Sequence, residues 1–160
     1  MIRNVRSHDA KDICGIYNYY IKNTVITFEE DEIDTKEIET RVAFIIKKYP
    51  WLVFEDKGKI KGYAYASGWK SRPAYRYSVE STVYVDIDHT GKGIGIKLLE
   101  ALIEALKNRG FHRVMGGIAL PNDASIALHE KFGFLKCAHF SEVGFKFGKW
   151  IDVGYWQKIL

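Results

Sequence analysis

Apolar positions along the chain switch between two spacings, and each switch marks a new element. IRNVR opens as a short strand, and HDAKDICGIYNYYI follows with Ile13, Ile16, Tyr17 and Tyr20 at helical intervals. TVITFEEDEI reads as a loop ending in an acidic patch. DTKEIETRVAFIIKKY reads as a second helix, capped by Asp34 or Thr35, with Lys47 and Lys48 at its tail. WLVFED and KIKGYAYASGW are two strands around a tight Lys57-Gly58 turn. RYSVESTVYVD alternates over a longer strand: Tyr77, Val79, Ser81, Val83 and Val85 share one face, Ser78, Glu80, Thr82 and Tyr84 the other. IGIKLLEALIEALKNRG repeats Ile94, Leu98, Leu102 and Leu106 along one helical face and stops at Gly110. RVMGGIAL is a fifth strand and PNDASIALHEKFG a short helix ending at Gly133. FLKCAHFSEVGFKFGKWIDVGYWQKIL closes the chain as two strands around a turn near residues 142 to 144. The order βααβββαβαββ, without linker, repeat or low-complexity stretch, predicts one mixed α/β (α+β) domain over residues 1–160.

Composition narrows the partners. The formal charge is +4, but Lys and Arg are scattered rather than gathered into a stripe, which argues against nucleic acid. The excess suits a small polyanionic ligand instead. Ten Tyr, nine Phe and four Trp favour a β-rich fold or a site walled by rings. Cys14 and Cys137 have no metal-ligand spacing, and their apolar neighbours predict that both are buried and reduced. The histidines at 8, 89, 112, 129 and 139 form no ligand pattern, so no metal is expected. The start of the chain does not read as a signal peptide, and no apolar run approaches the roughly 20 residues of a membrane span. The expectation is a cytoplasmic protein with no membrane partner.

HTGKGIGIKLL places Gly91, Gly93 and Gly95 between a long strand and a long helix. Glycine costs about 1 kcal/mol relative to alanine in a helix, so something must offset it there. Free N–H groups at a helix start, unshielded by side chains, make an anion site, and Lys92 and Lys97 add positive charge nearby. Neither common nucleotide signature fits. A Walker loop counted from Gly91 puts Ile96 at its second glycine and Leu98 at its metal-binding hydroxyl, and the spacing GxGxG is not the Rossmann GxGxxG.

The segment VYVDIDHTGKGIGIKLL does resemble the acetyl-CoA pyrophosphate loop of the GNAT acetyltransferases, [QR]xxGx[GA], with Thr90 standing at the Gln/Arg position. YPWLV, AYASGWKSRPAY, VESTVYV, ALPNDASIALHEKFGF and VGFKFGKWIDVGYWQ are similar to the phosphinothricin and methionine sulfoximine acetyltransferases, in that order, from about Phe28 to Gln157. The resemblance implies the GNAT fold: a mixed, mostly antiparallel twisted sheet of about seven strands flanked by four helices. It further implies acetyl-CoA as donor and an amino acid analogue as acceptor, attacked directly in a ternary complex. It places the pyrophosphate on Gly91, Lys92, Gly93, Ile94, Gly95 and Ile96. The pantetheine arm would fall to Asn122 and to the main chain around Val83, Tyr84 and Val85, in a slot opened by splaying of the fourth strand. Such enzymes are commonly homodimers, and the aromatic C-terminal strands FKFGKW and VGYWQ are plausible interface material.

Acetyl transfer to an amine needs a proton acceptor, a donor for the departing thiolate and a pocket for the acceptor. Glu80, a carboxylate in the middle of an apolar and hydroxylic strand, is the candidate base. Asn122, Ser125 and His129 share a helical face at i, i+3 and i+7. Many GNAT enzymes carry a tyrosine where this chain has His129, so the resemblance implicates His129 without deciding between acid and base. Lys70 and Arg72 are candidate cations for the acceptor's anionic groups and Phe28 is a candidate wall; Ser71, Tyr75, and Ser81 and Thr82 next after Glu80, are further candidate acceptor contacts. Two other readings remain open: a GNAT enzyme that acetylates a protein N-terminus or lysine, and a non-catalytic acetyl-CoA sensor.

Overall fold

Seven strands hydrogen-bond in the order β1-β2-β3-β4-β5-β7-β6 in the computed structural model, which describes residues 1–160. They are β1 (Ile2–Asn4), β2 (Trp51–Asp56), β3 (Lys59–Gly68), β4 (Ser78–Val85), β5 (Arg113–Ala119), β6 (Leu135–Lys146) and β7 (Lys149–Ile159). Four helices flank them: α1 (Ala10–Asn23), α2 (Thr35–Ile45), α3 (Ile94–Asn108) and α4 (Asp123–Lys131). All neighbouring pairs are antiparallel except β4 and β5. This is the expected mixed sheet.

Each face of the sheet carries its own apolar cluster. One gathers Ile13, Ile16 and Tyr20 of α1 and Ile38 and Val42 of α2 against Trp51, Val53 and Tyr63. The other gathers Leu98, Leu102 and Leu106 of α3 against Ala64, Ala66, Val79 and Val114. Each fully buried aliphatic side chain contributes about 2 kcal/mol, so α3 is held chiefly by this stripe. The alternation read in β4 is realised: Val79, Val83 and Val85 pack toward α3, while Tyr84 packs toward α1.

Several boundaries differ from the sequence reading. α2 ends at Ile45, so Lys47 and Lys48 lie in a turn, and Asp34 caps the helix by accepting from the Glu37 amide at 2.8 Å. Residues 142 to 144 are no hairpin turn. They form an irregularity inside β6, with Glu142 at φ 52°, and the chain reverses at Phe147 and Gly148, at φ 52° and 71°. Two successive positive φ values match the twist of a two-residue hairpin, which the Glu142 region cannot supply. Cys14 is buried as expected, but Cys137 is exposed, because β6 is an edge strand whose residues there face outward. No helix is long and apolar enough to cross a membrane.

The parallel pair sets up the site. β4 and β5 are in register only over Ser78–Arg113, Val79–Val114 and Glu80–Met115. The Ser81 hydroxyl still donates to the Met115 carbonyl at 3.2 Å, and beyond it the strands part. β4 continues alongside β3 as far as Val85, and β5 alongside β7 as far as Ala119. A fork therefore opens in the middle of the sheet.

Gly62 brings α3 down beside that fork. A Cβ there would stand 3.0 Å from both the Tyr84 carbonyl oxygen and Leu98 Cδ1. Gly62→Ala is expected to lower the unfolding free energy by about 1–3 kcal/mol, read as a lower denaturation midpoint at unchanged slope.

Candidate active site

A cleft of about 920 Å³ fills the fork and runs from the glycine loop to the β6–β7 hairpin. Its floor is main chain. Trp69 N–H bonds the Ser78 carbonyl (3.2 Å) and Asp86 N–H the Lys61 carbonyl (2.9 Å), so the even-numbered residues of β4 pair with β3. By the alternation of antiparallel pairing, the peptide groups of Val83 and Val85 face the other way, into the gap. The Tyr20 hydroxyl already occupies the Val85 carbonyl at 2.6 Å, leaving the Val85 amide and both groups of Val83. Tyr84 also lines the cleft, but its peptide groups belong to the β3 ladder.

At one end the cleft meets the start of α3. The first helical bond runs from the Lys97 amide to the Gly93 carbonyl at 3.2 Å, so the amides of Ile94, Gly95 and Ile96 have no partner within the helix. The three glycines have different reasons. Gly91 and Gly93 sit at φ 73° and 77°, where an L side chain is strained. Gly95 is helical, and a Cβ there would meet nothing closer than Leu128 and Val85 at 3.7 Å. The protein's own packing does not require that glycine.

The expected cations are directed elsewhere. Lys92 donates to the Asp88 carbonyl at 2.9 Å and does not line the cleft, and Lys97 Nζ stands 5.9 Å from the Phe54 ring centre. The Thr90 hydroxyl donates to the Ile87 carbonyl at 3.0 Å, tightening the turn before the loop. His89 joins the lining with Nδ1 3.1 Å from Asp86 Oδ2. The donors at this end are thus chiefly peptide N–H groups and the positive end of the α3 dipole.

Glu80 and His129 stand on opposite sides of β5, and two consecutive glycines make room for them. A Cβ on Gly117 would lie 2.9 Å from Glu80 Oε1, and a Cβ on Gly116 would lie 2.7 Å from His129 Nε2. Burial pushes the Glu80 carboxyl above its usual range. His129 is 6% exposed, and burial pushes its imidazole down. Its Nδ1 lies 2.7 Å from the Ser125 carbonyl oxygen, an acceptor only, so Nδ1 carries the hydrogen and the neutral ring keeps its lone pair at Nε2. The polar face read on α4 is thus a linked series. Asn122 Oδ1 accepts from the Ser125 amide at 3.1 Å, and the Ser125 carbonyl accepts from His129. Asn122 caps the helix and lines the cleft.

At the far end Phe28, Lys70, Ser81 and Thr82 line the cleft, whereas Ser71, Arg72 and Tyr75 lie on an exposed loop outside it. Lys70 Nζ is 5.7 Å from the Trp69 ring centre and 5.8 Å from that of Tyr75. Trp69, Phe140 and Tyr155 also form this wall, and sequence reasoning missed them; Tyr155 meets Trp69 edge-on at 5.1 Å. The adjacent Gly116-Gly117 pair inside a strand was the available signal, because glycine there marks a close approach. No three His, Cys, Asp or Glu side chains converge anywhere in the chain.

Gly95→Ala separates ligand from fold. The substitution is expected to leave the melting temperature unchanged or raised, and to weaken acetyl-CoA binding at least about tenfold by calorimetry. Unaltered affinity would remove the α3 start from the binding site.

A family model described as acetyltransferase (GNAT) domain matches residues 2–154. The chain is 38% identical to phosphinothricin N-acetyltransferase of Streptomyces viridochromogenes over 157 residues, covering 98% of this chain and 86% of that one. It is also 38% identical to the L-methionine sulfoximine/L-methionine sulfone acetyltransferase of Salmonella typhimurium over 160 residues, covering 98% and 92%. An acetyltransferase structure from Salmonella typhimurium with its cofactor acetyl-CoA superposes with a TM-score of 0.98 at 37% identity, over 100% of this chain and 93% of that one. With the forked sheet, the unshielded helix start and nearly full-length relatives at this identity, the chain belongs to the GNAT acetyltransferases and is an acetyl-CoA-dependent N-acetyltransferase.

Proposed function

We propose that the chain transfers acetyl from acetyl-CoA to the α-amine of a small amino acid of the phosphinothricin, methionine sulfone or methionine sulfoximine type. The observation that carries this reading is one carboxylate and one Lys or Arg side chain, Glu80 and Lys70, in a ring-walled cleft that ends on free helix amides. The peptide donors of Ile94 to Ile96 take the diphosphate, and Val83 and Val85 pair with the amide-bearing arm as an added strand does. The thioester then lies at the fork, between Glu80 and His129. The acceptor's ammonium faces Glu80, its carboxylate Lys70, and its side chain the rings of Phe28, Trp69 and Tyr155.

Glu80 receives the first proton from the ammonium, directly or through water, leaving a nucleophilic amine. Nitrogen attacks the carbonyl carbon, and its second proton passes to Nε2 of His129 and on to the departing sulfur. The Ser125 bond supports this order of transfers: a neutral ring whose Nε2 bears a lone pair accepts a proton before it donates one. No cysteine lines the cleft, which supports direct attack over an acyl-cysteine route.

The relatives' names support this acceptor class by similarity, and a role in resistance to such compounds belongs to the same proposal. We also place the protein in the cytoplasm, as a single domain that pairs with a second copy along β6. That edge strand and its hairpin expose Val143 (60%), Phe145 (53%), Phe147 (56%) and Trp150 (64%), the kind of apolar edge that a partner covers.

Glu80→Gln tests the chemistry. Turnover is expected to fall about 10²–10⁴-fold while acetyl-CoA affinity stays unchanged. The base works ionised, so wild-type turnover declines as pH falls through the raised Glu80 pKa, and the variant loses that limb. The sign for stability is opposite. A carboxyl raised on folding binds its proton more tightly in the native state, so its ionisation lowers stability as pH rises above the unfolded value. Glu80→Gln is therefore expected to melt no lower than wild type at neutral pH.

A further inference from the structure

The residue that walls the acceptor end, Phe28, belongs to a segment without regular structure between α1 and α2. Its position has to come from side chains. On the α1–α2 side, the Tyr17 hydroxyl lies 2.9 Å from Thr27 Oγ1 and also donates to the Glu29 carboxylate. Both Glu29 oxygens are taken by Arg41, at 2.6 and 2.9 Å, and the guanidinium holds that carboxyl below its usual range. On the opposite side stands Lys146, the last residue of β6. It is 1% exposed, and its Nζ donates to the Thr27 carbonyl at 2.8 Å.

A buried lysine beside an edge hairpin is costly, and burial pushes its ammonium toward neutrality. Glu29 and Glu30 oppose that shift, and the Phe147 ring centre lies 5.1 Å from Nζ. An apolar residue of the same length would fill the space without the cost. What it would not supply is a donor to Thr27. The Thr27 carbonyl and the Phe28 amide belong to one planar peptide unit, so gripping that oxygen fixes the plane from which the Phe28 side chain hangs.

The same strand face holds the ring itself. Gly144 lies two residues before Lys146, on the same side of β6, and a Cβ there would run into the Phe28 ring. Gly144 and Lys146 are buried, while Phe145 between them, and Val143 at the edge of the cleft, are exposed.

We propose that Lys146, with Gly144, is a positioning device for the acceptor pocket: Lys146 fixes the peptide plane that carries Phe28, and Gly144 seats its ring. The inference rests on the acceptor reading of that end of the cleft. Lys146 touches neither substrate and acts through Phe28.

The test is steady-state kinetics of the full chain with methionine sulfone and acetyl-CoA, following released thiol. Lys146→Met keeps the bulk and removes the donor; Gly144→Ala leaves the lysine and displaces the ring. Each is expected to raise the acceptor KM at least about tenfold, leaving kcat and the acetyl-CoA KM within about threefold. Lys146→Arg, which retains a donor, recovers part of the loss. Once Phe28→Ala has removed the ring, Lys146→Met adds little, because the two substitutions share one effect. Additive losses, equal rises in both KM values, or an unchanged acceptor KM in Gly144→Ala would overturn the proposal. If Phe28→Ala itself leaves the acceptor KM unchanged, the placement of the acceptor fails, and this inference with it.

Discussion

The site depends on strand pairing that stops early. β4 and β5 are parallel neighbours for three residues and then separate, so peptide groups that would complete a ladder are left facing a gap. Buried peptide groups without partners are costly in a finished protein, and a ligand that supplies them recovers that cost on binding. The same divergence places the two candidate catalytic side chains. Glu80 is the last residue of β4 in register with β5, and it stands at the apex of the fork with His129 across the strand.

Electrostatics follow from that placement. A carboxylate and an imidazole at the apex lose water, and the loss moves both in the direction that favours the neutral form. For Glu80 this raises basicity toward working pH. For His129 it keeps the ring uncharged, and the Ser125 carbonyl selects the tautomer. At the other end of the cleft no fixed side-chain cation is needed, because an α-helix start supplies oriented donors whose positions do not depend on flexible lysines. Lys92 and Lys97 are exposed and directed away from the cleft.

Much of this was legible in the residues. The period of α3, the alternation of β4 and the cap of α2 are local features, and periodicity reads them well. The unshielded start of α3 followed from three glycines ahead of an apolar helical stripe. Long-range facts were not legible. The parting of β4 from β5 is a property of two strands separated in the chain by the whole of α3, and only resemblance pointed to it. The hairpin turn was misplaced because Glu142-Val143-Gly144 looks more turn-like than Lys146-Phe147-Gly148, whereas tertiary contacts put Gly144 under Phe28. Lys146 reads as one more surface charge until the loop that it holds is in place. Arg72, singled out by its charge, projects from an exposed loop outside the cleft.

Amide hydrogen exchange in the presence and absence of acetyl-CoA tests the central point most directly. Saturating donor is expected to slow exchange at Val83 and Val85 and at Ile94, Gly95 and Ile96, with little change in the ladder between β2 and β3. Binding at full occupancy that leaves those five amides exchanging at their free rates would mean that the fork and the helix start are not where the donor sits.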